Sequence, residues 1–262
     1  MNRRAFLWTA LAGGALDASR SNLGAAAAVD RSWIELRFYR TRNDLERNRL
    51  DVFLKDGYLP AAQRAGVGPL GFFNVVVGPG MPTVLSVTAF RSLADMESAG
   101  AKMAGDAPWN KALDEFDSSP ATAYQRIESC LLRAFRTVPK VEVPQASPDR
   151  PARFFELRVY EARNMRASEK KIKMFDEGEV AIFRKVGMLP IFFGQTMVGA
   201  GLPSLTYMLA YDSVEARETV WQKFLADPDW IKLRSMQGYA DAEIVSNIHS
   251  TFLRPTAYSP IR

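Results

Sequence analysis

With 262 residues, 47% of them hydrophobic, the chain is long enough for two ordinary domains with real cores. Its formal charge of +5 is too weak and dispersed to argue for nucleic acid, and Arg3, Arg4, Arg20 and Asp17 supply a net +2 of it before residue 29. Cys130 is the lone cysteine, which excludes an intrachain disulfide; with a single histidine it also excludes a Cys/His zinc cluster within one chain, and no metal or cofactor is expected.

Residues 1–28 read as an export signal. Arg3-Arg4 stand ahead of Phe6-Leu7, an apolar run extends from Leu7 to Leu16, and the small residues Ala25 to Ala28 follow. The paired arginines resemble a twin-arginine signal, which carries a folded protein across a bacterial membrane to the periplasm. The run is too short for an ordinary membrane span, and no other segment is long and apolar enough to be one.

From Trp33 to Tyr39 the chain alternates, with Ile34, Leu36 and Phe38 on one face and Trp33, Glu35, Arg37 and Tyr39 on the other, which predicts a strand. Asn43 with Glu46 is a capping pattern that opens a helix ending at Gly66, and Pro60 predicts a kink or split near Gly57 to Pro60. Two β-rich runs, Leu70 to Val77 and Thr83 to Phe90, flank Gly78-Pro79-Gly80-Met81-Pro82 and read as a hairpin. No helix pattern follows those glycines, so they are a turn and not a phosphate cradle. Ser92 caps a second helix, Asp106 opens a short helical segment, and a strand near Ile127 to Phe135 closes the unit.

The same order is then written again. At an offset of 121 residues Glu35-Leu36-Arg37-Phe38-Tyr39 becomes Glu156-Leu157-Arg158-Val159-Tyr160, and Asn43, Gly57, Pro69, Phe72, Gly78, Ser92, Asp106 and Trp109 meet Asn164, Gly178, Pro190, Phe193, Gly199, Ser213, Asp227 and Trp230 without a gap. This is a tandem duplication. Pro139, Pro144, Pro148 and Pro151 make 137–152 an extended, stiff linker between repeats at 30–136 and 153–262. The fold class is α+β: two ferredoxin-like (βαββαβ) repeats pairing within one chain as a barrel. Each sheet has one face without helices, and stacking the two such faces is the economical way to cover them. The oily face of the first strand is expected to meet the helices, leaving Glu35, Arg37, Tyr39 and their counterparts between the sheets, paired or hydrated.

Glu-Leu-Arg-x-Tyr, the Gly187-Met188-Leu189-Pro190 turn, Asp227-Pro228-Asp229-Trp230 and the terminal Phe252-Leu253-Arg254-Pro255-Thr256-Ala257-Tyr258-Ser259-Pro260 resemble the NIPSNAP family of the dimeric α/β-barrel superfamily. The resemblance covers nearly the whole chain after the signal and is better in the second copy; the first departs where Ala134-Phe135 replaces Pro255-Thr256 and Pro108 replaces Asp229. It implies an intrachain dimeric α/β-barrel. The family's biochemical role is poorly defined, and its superfamily includes cofactor-free monooxygenases, haem-degrading and haem-binding enzymes, and small-molecule isomerases.

Glu35, Tyr39, Glu156 and Tyr160 are the candidate catalytic residues, because a buried carboxyl beside a phenol and a guanidinium can abstract a proton while arginine steadies the enolate. The structural alternative is a symmetric layer of ion pairs. Arg37 and Arg158 are candidate ligand contacts, as are Arg133 and Arg254, which either grip an anionic group or pair with Glu35 and Glu156. Trp109 and Trp230 read as core, or as walls of an apolar pocket. His249, the lone histidine, is a candidate base or haem ligand, or a hydrogen-bonding residue at a strand edge. The first reading is an exported small-molecule binding or interaction module with a cavity between the two sheets, taking a small apolar or anionic ligand. Whether it is an enzyme or self-associates stays open. The alternatives are a cofactor-free monooxygenase or isomerase acting on an aromatic or quinone-like substrate, and a haem-handling protein.

Overall fold

The computed structural model describes residues 30–145 and 151–262; the expected export signal and part of the linker lie outside the described residues. The first copy runs β1 (Trp33–Arg40), α1 (Asp44–Val52), a π-helical segment (Phe53–Tyr58), α2 (Leu59–Arg64), β2 (Leu70–Val77), β3 (Thr83–Phe90), α3 (Leu93–Ala104), α4 (Ala107–Asp117) and β4 (Arg126–Ala134). The second runs β5 (Phe154–Glu161), α5 (Met165–Met174), a π-helical segment (Phe175–Glu179), α6 (Val180–Lys185), β6 (Leu189–Val198), β7 (Ser204–Tyr211), α7 (Val214–Ala226), α8 (Pro228–Arg234), α9 (Asp241–Ile244) and β8 (Asn247–Pro255). The expected caps form in both copies: the side chains of Asn43, Ser92, Asp106, Asn164, Ser213 and Asp227 each accept from a backbone N–H in the first turn.

The eight strands close into an antiparallel barrel in the order β1-β3-β2-β8-β5-β7-β6-β4. Each copy contributes a four-stranded ferredoxin-like sheet, and β2–β8 and β4–β6 are the two seams. The chain after each closing strand crosses to the other copy. Phe135 donates its N–H to Phe193 O and Thr256 donates to the equivalent Phe72 O, both at 2.9 Å. Tyr258 then rests on Phe72 at 5.3 Å and donates to Asp51 Oδ1 at 2.7 Å. Among the described residues no helix is long and apolar enough to cross a membrane.

Two expectations are corrected. The first concerns faces. Ile34, Leu36, Val87, Leu132, Phe155, Leu157, Met208 and Leu253, drawn from both copies, form one core inside the barrel. The oily face of the first strand therefore meets the other copy, and Glu35, Arg37 and Tyr39 turn outward beneath their own helices. The reason is that a closed barrel interior is dry and is best filled by apolar side chains, whereas the gap between sheet and helices opens to solvent at its edge, where a charged group keeps some hydration. The second concerns the break in the long helix. It occurs in both copies, although Pro60 faces Ala181 in the second, so proline is not its cause. What the copies share is a glycine inside the wide turn, against which another helix packs: a Cβ at Gly57 would lie 3.0 Å from Ala112 Cβ, and one at Gly178 would lie 3.0 Å from Leu233 Cδ2.

Candidate functional site

On the outer face of each sheet, under that copy's helices, the repeated Glu-x-Arg-x-Tyr meets two different surroundings. In the first copy the residues sit on the floor of a cleft of about 470 Å³. Alternation along β1 aims Glu35, Arg37 and Tyr39 into it, and the π-helical turn supplies Phe53 and Tyr58. Trp109 and Phe116 come from α4, and Tyr124 from the loop before β4. The aromatic wall is continuous: Phe53 stacks on Phe116 at 4.1 Å and lies 5.4 Å from Trp109, and Tyr39 meets Tyr124 edge-on at 5.9 Å.

Glu35 is 5% exposed. Its Oε1 accepts from Arg37 Nε at 2.8 Å and from Ser129 Oγ at 3.2 Å, while Oε2 is buried with no partner among the described residues. Arg37 spends only Nε on this pair, and its side chain stays 35% exposed toward the cleft. Burial opposes the Arg37 cation, but Glu35, Tyr58 and Tyr39 outweigh it and raise its pKa. Burial raises the pKa of Tyr39 and Tyr58 against the opposing pull of Arg37, so both phenols stay protonated. The floor thus offers a carboxylate oxygen with a free lone pair, a fixed cation and neutral phenols.

In the second copy the same space is full. Arg217 grips Glu156 with Nε to Oε2 at 2.8 Å and Nη2 to Oε1 at 2.9 Å. Arg158 Nη1 donates to Glu156 Oε1 at 2.9 Å and to Ser250 Oγ at 3.0 Å, and its Nη2 donates to Tyr160 at 3.2 Å. Tyr211 and the Trp221 indole each donate to Glu156 Oε2 at 3.3 Å. Burial works against the Glu156 carboxylate, yet Arg217 and Arg158 more than compensate and its pKa is lowered. Tyr207, fully buried, stacks on Phe193 at 4.8 Å and donates to Tyr160 at 3.0 Å. Lys171 is buried over the rings of Tyr160, Phe175 and Trp230 at 5.5, 5.0 and 5.6 Å, and donates to Glu179 at 3.1 Å and Asp241 at 3.2 Å.

The filling residues stand where the first copy has smaller or apolar ones: Arg217 at the place of Met96, Trp221 of Gly100, Tyr207 of Ser86, Phe183 of Ala62, and Lys171 of Leu50. In the first copy a Cβ on Gly100 would meet nothing within 4 Å.

The other sequence candidates scatter. Arg133 stacks on Trp33 at 4.9 Å and Arg254 lies over Phe154 at 5.9 Å; neither pairs with Glu35 or Glu156, which corrects that expectation, because each glutamate takes an arginine from its own strand. Trp109 walls the cleft, while Trp230 is buried beside Phe224. His249 stands at the barrel rim, half-exposed, 2.8 Å from Asn247 Nδ2 and 3.3 Å from Glu161 Oε1. Between the sheets lies a smaller cavity, about 170 Å³, bordered by Leu36, Phe38, Cys130, Val159 and Thr206. The expected cavity between the sheets is therefore not where the candidate catalytic set points. Among the described residues no group of acidic, histidine or cysteine side chains is arranged to hold a metal ion. Sequence reading missed Tyr58, Tyr124, Arg217, Tyr207, Trp221 and Lys171; the signal that finds the last four is the set of size and charge differences between the aligned copies.

The family model described as NIPSNAP matches the chain twice, over residues 34–139 and 155–260. No curated protein matches it. Among solved structures, a protein described only by inference as a monooxygenase, from Fusobacterium nucleatum, is 8% identical with a TM-score of 0.58, over 86% of this chain and 92% of that one. A second protein so described, from Lactobacillus acidophilus, is 10% identical with a TM-score of 0.58, over 86% and 94%. An anthrone oxidase-like protein is 13% identical with a TM-score of 0.51, over 87% and 92%. At these identities the likeness is one of fold.

Proposed function

Because the chain belongs to the NIPSNAP family, we propose that it is a small-molecule binding protein with one working pocket, the sheet–helix cleft of the first copy, and that the second copy is its structural support. The carrying observation is Glu35 Oε2, buried and unpaired on the floor of an aromatic cleft, set against a Glu156 whose two oxygens are fully engaged. A buried acceptor left without a donor costs about 1–3 kcal/mol, so a ligand that supplies the donor gains that much in affinity. Native mass spectrometry of protein purified from its own host tests this. A bound mass is expected on the wild-type chain and not on a Gly100→Trp variant, whose new indole enters the cleft. A mass retained equally by both would refute it.

The fold likeness to the two monooxygenase-described proteins and the anthrone oxidase-like protein supports a second reading, a cofactor-free oxygenase. Glu35 Oε2 would take a proton from an activated position on an aromatic substrate, and Arg37 would hold the resulting oxyanion. Tyr39, kept protonated by burial, serves as a donor and not as the base. Dioxygen uptake with hydroxyaromatic and anthrone-type substrates, abolished in Glu35→Gln, is the expected result; uptake unchanged in that variant would exclude the mechanism. Export by the twin-arginine route is also proposed, from Arg3-Arg4 and the apolar run behind them. Lysine at both positions is expected to leave the protein in the cytoplasm.

A further inference from the structure

The second copy shows what the first copy's carboxylate is shaped to accept. Glu156 takes two guanidinium groups at once, Arg158 from its own strand and Arg217 across both oxygens. In the first copy the Arg37 pair is retained and the second cation is missing: Met96 stands in place of Arg217, Phe90 in place of Tyr211, and Gly100 in place of Trp221. The oxygen so released, Glu35 Oε2, is the one that Arg217 Nε reaches in the sister site.

Two further observations agree on the sign of the charge. The charged residues lining the cleft are Glu35, Arg37 and Asp117, a net charge of −1 in a chain that is otherwise positive. The walls suit a cation as well: Trp230, the counterpart of Trp109, and Tyr160, the counterpart of Tyr39, already carry the Lys171 ammonium on their faces.

From this we infer that the first-copy cleft binds an aromatic molecule bearing a hydrogen-bonding cation, an amidinium, guanidinium or ammonium group, which docks on Glu35 Oε2 while its ring lies against Trp109 and Phe53. The inference rests on the cleft being a binding site and adds the class of ligand. It replaces the expectation of an anionic ligand: an anion would meet Arg37, but would bring a second negative charge onto the unpaired oxygen of Glu35.

Calorimetric titration of the full chain with 2-naphthamidine, 2-naphthamide and 2-naphthoate separates the cases, since the three share a shape and differ in charge. The amidinium is expected to bind about tenfold or more tighter than the amide, the margin of a charge-assisted over a neutral hydrogen bond, and the carboxylate weakest. Glu35→Gln should remove that preference and leave the amide's affinity within about threefold. Equal binding of amidinium and amide, or a preference that survives Glu35→Gln, overturns the ligand class while leaving the pocket standing. Binding of none of the three overturns the pocket with it. A Met96→Arg, Gly100→Trp variant rebuilds the sister copy's own plug from residues the fold already tolerates there, so it guards against misfolding of the glutamine variant. It should bind none of the probes, and amidinium binding retained by it would place the site elsewhere and overturn the inference.

Discussion

The two copies place the same Glu-x-Arg-x-Tyr on the same strand, under the same pair of helices, and use it in opposite ways. Around Glu156, α7 brings a guanidinium and an indole and β7 a phenol, and both oxygens of the carboxylate are engaged. Around Glu35, α3 brings a methionine and a glycine, and a buried oxygen is left without a partner among the described residues at the foot of a cleft of about 470 Å³. A repeated motif is therefore no guide to repeated surroundings: the side chains that close over it decide whether its carboxylate is fully paired or keeps an oxygen without a partner. A duplicated fold can be held together by one half, which frees the other to leave a polar group unsatisfied.

The sharpest way to break that comparison is to neutralise each glutamate in turn. Glu156→Gln leaves the largely buried Arg158 and Arg217 cations without their counter-charge, and a loss of about 3–5 kcal/mol is expected by urea denaturation. Glu35→Gln, where Arg37 keeps solvent, should lose about 1 kcal/mol. Equal losses would mean that both sites are structural. The pH dependence follows with a definite sign. Because the folded-state pKa of Glu156 is depressed, its contribution is complete above the ordinary value near 4.5 and is lost as pH falls below it toward the lowered folded value. The stability gap between wild type and Glu156→Gln should therefore hold from neutrality to about pH 5 and shrink below that. A gap that is flat down to pH 2 would contradict the ion-pair assignment.

Of comparable size is Tyr207→Ser, which gives the second copy the small residue of the first. The lost ring stacks on Phe193 and anchors Tyr160, so about 3–5 kcal/mol is expected, with a new cleft opened above Arg158. A loss under about 1 kcal/mol would show that the plug is not part of the core. The plugging experiment on the other side is smaller and opposite in sign. Met96→Arg with Gly100→Trp replaces a mid-helix glycine whose Cβ direction is open, and should raise stability by about 1 kcal/mol, seen as a few degrees in Tm.

Much of this fold was legible in the residues. The strand alternation, the caps at Asn43, Ser92 and Asp106 and the hairpin glycines are local signals, and the local chemistry that makes them also forms the elements. The orientation of the first strand was not legible. Alternation separates Ile34 and Leu36 from Glu35 and Arg37, but it does not say which set meets helices and which meets the partner sheet; that depends on the closed seams β2–β8 and β4–β6. The cleft was hidden for a related reason. Identities between the copies reveal the duplication and so draw the eye to Glu35 and Glu156, whereas the pocket is made by the positions that differ, Gly100 against Trp221 and Ser86 against Tyr207.

The barrel rim offers the mildest test, because there the copies have diverged without changing the interaction. Arg40 pairs with Glu128 in the first copy, its Nε 3.1 Å from Oε2, and at the equivalent places Glu161 meets His249 at 3.3 Å: the acidic and basic side chains have been exchanged across the same two strands. Gly80 and Gly201 make room for the side chain on the first strand in each copy, since a Cβ would come within 2.5 Å of Arg40 Nη1 in one and 2.7 Å of Glu161 Oε1 in the other. The pairs are partly exposed, so each should contribute at most about 1 kcal/mol. Glu161→Arg or His249→Glu alone should therefore lower stability by up to about 1 kcal/mol, and the double variant, which copies the first rim onto the second, should return to within about 0.5 kcal/mol of wild type. The same double variant removes the lone histidine. If His249 holds a haem, the Soret band of protein from its own host disappears with it; if the rim pair is structural, the absorption spectrum is unchanged and the divergence that matters is confined to the cleft.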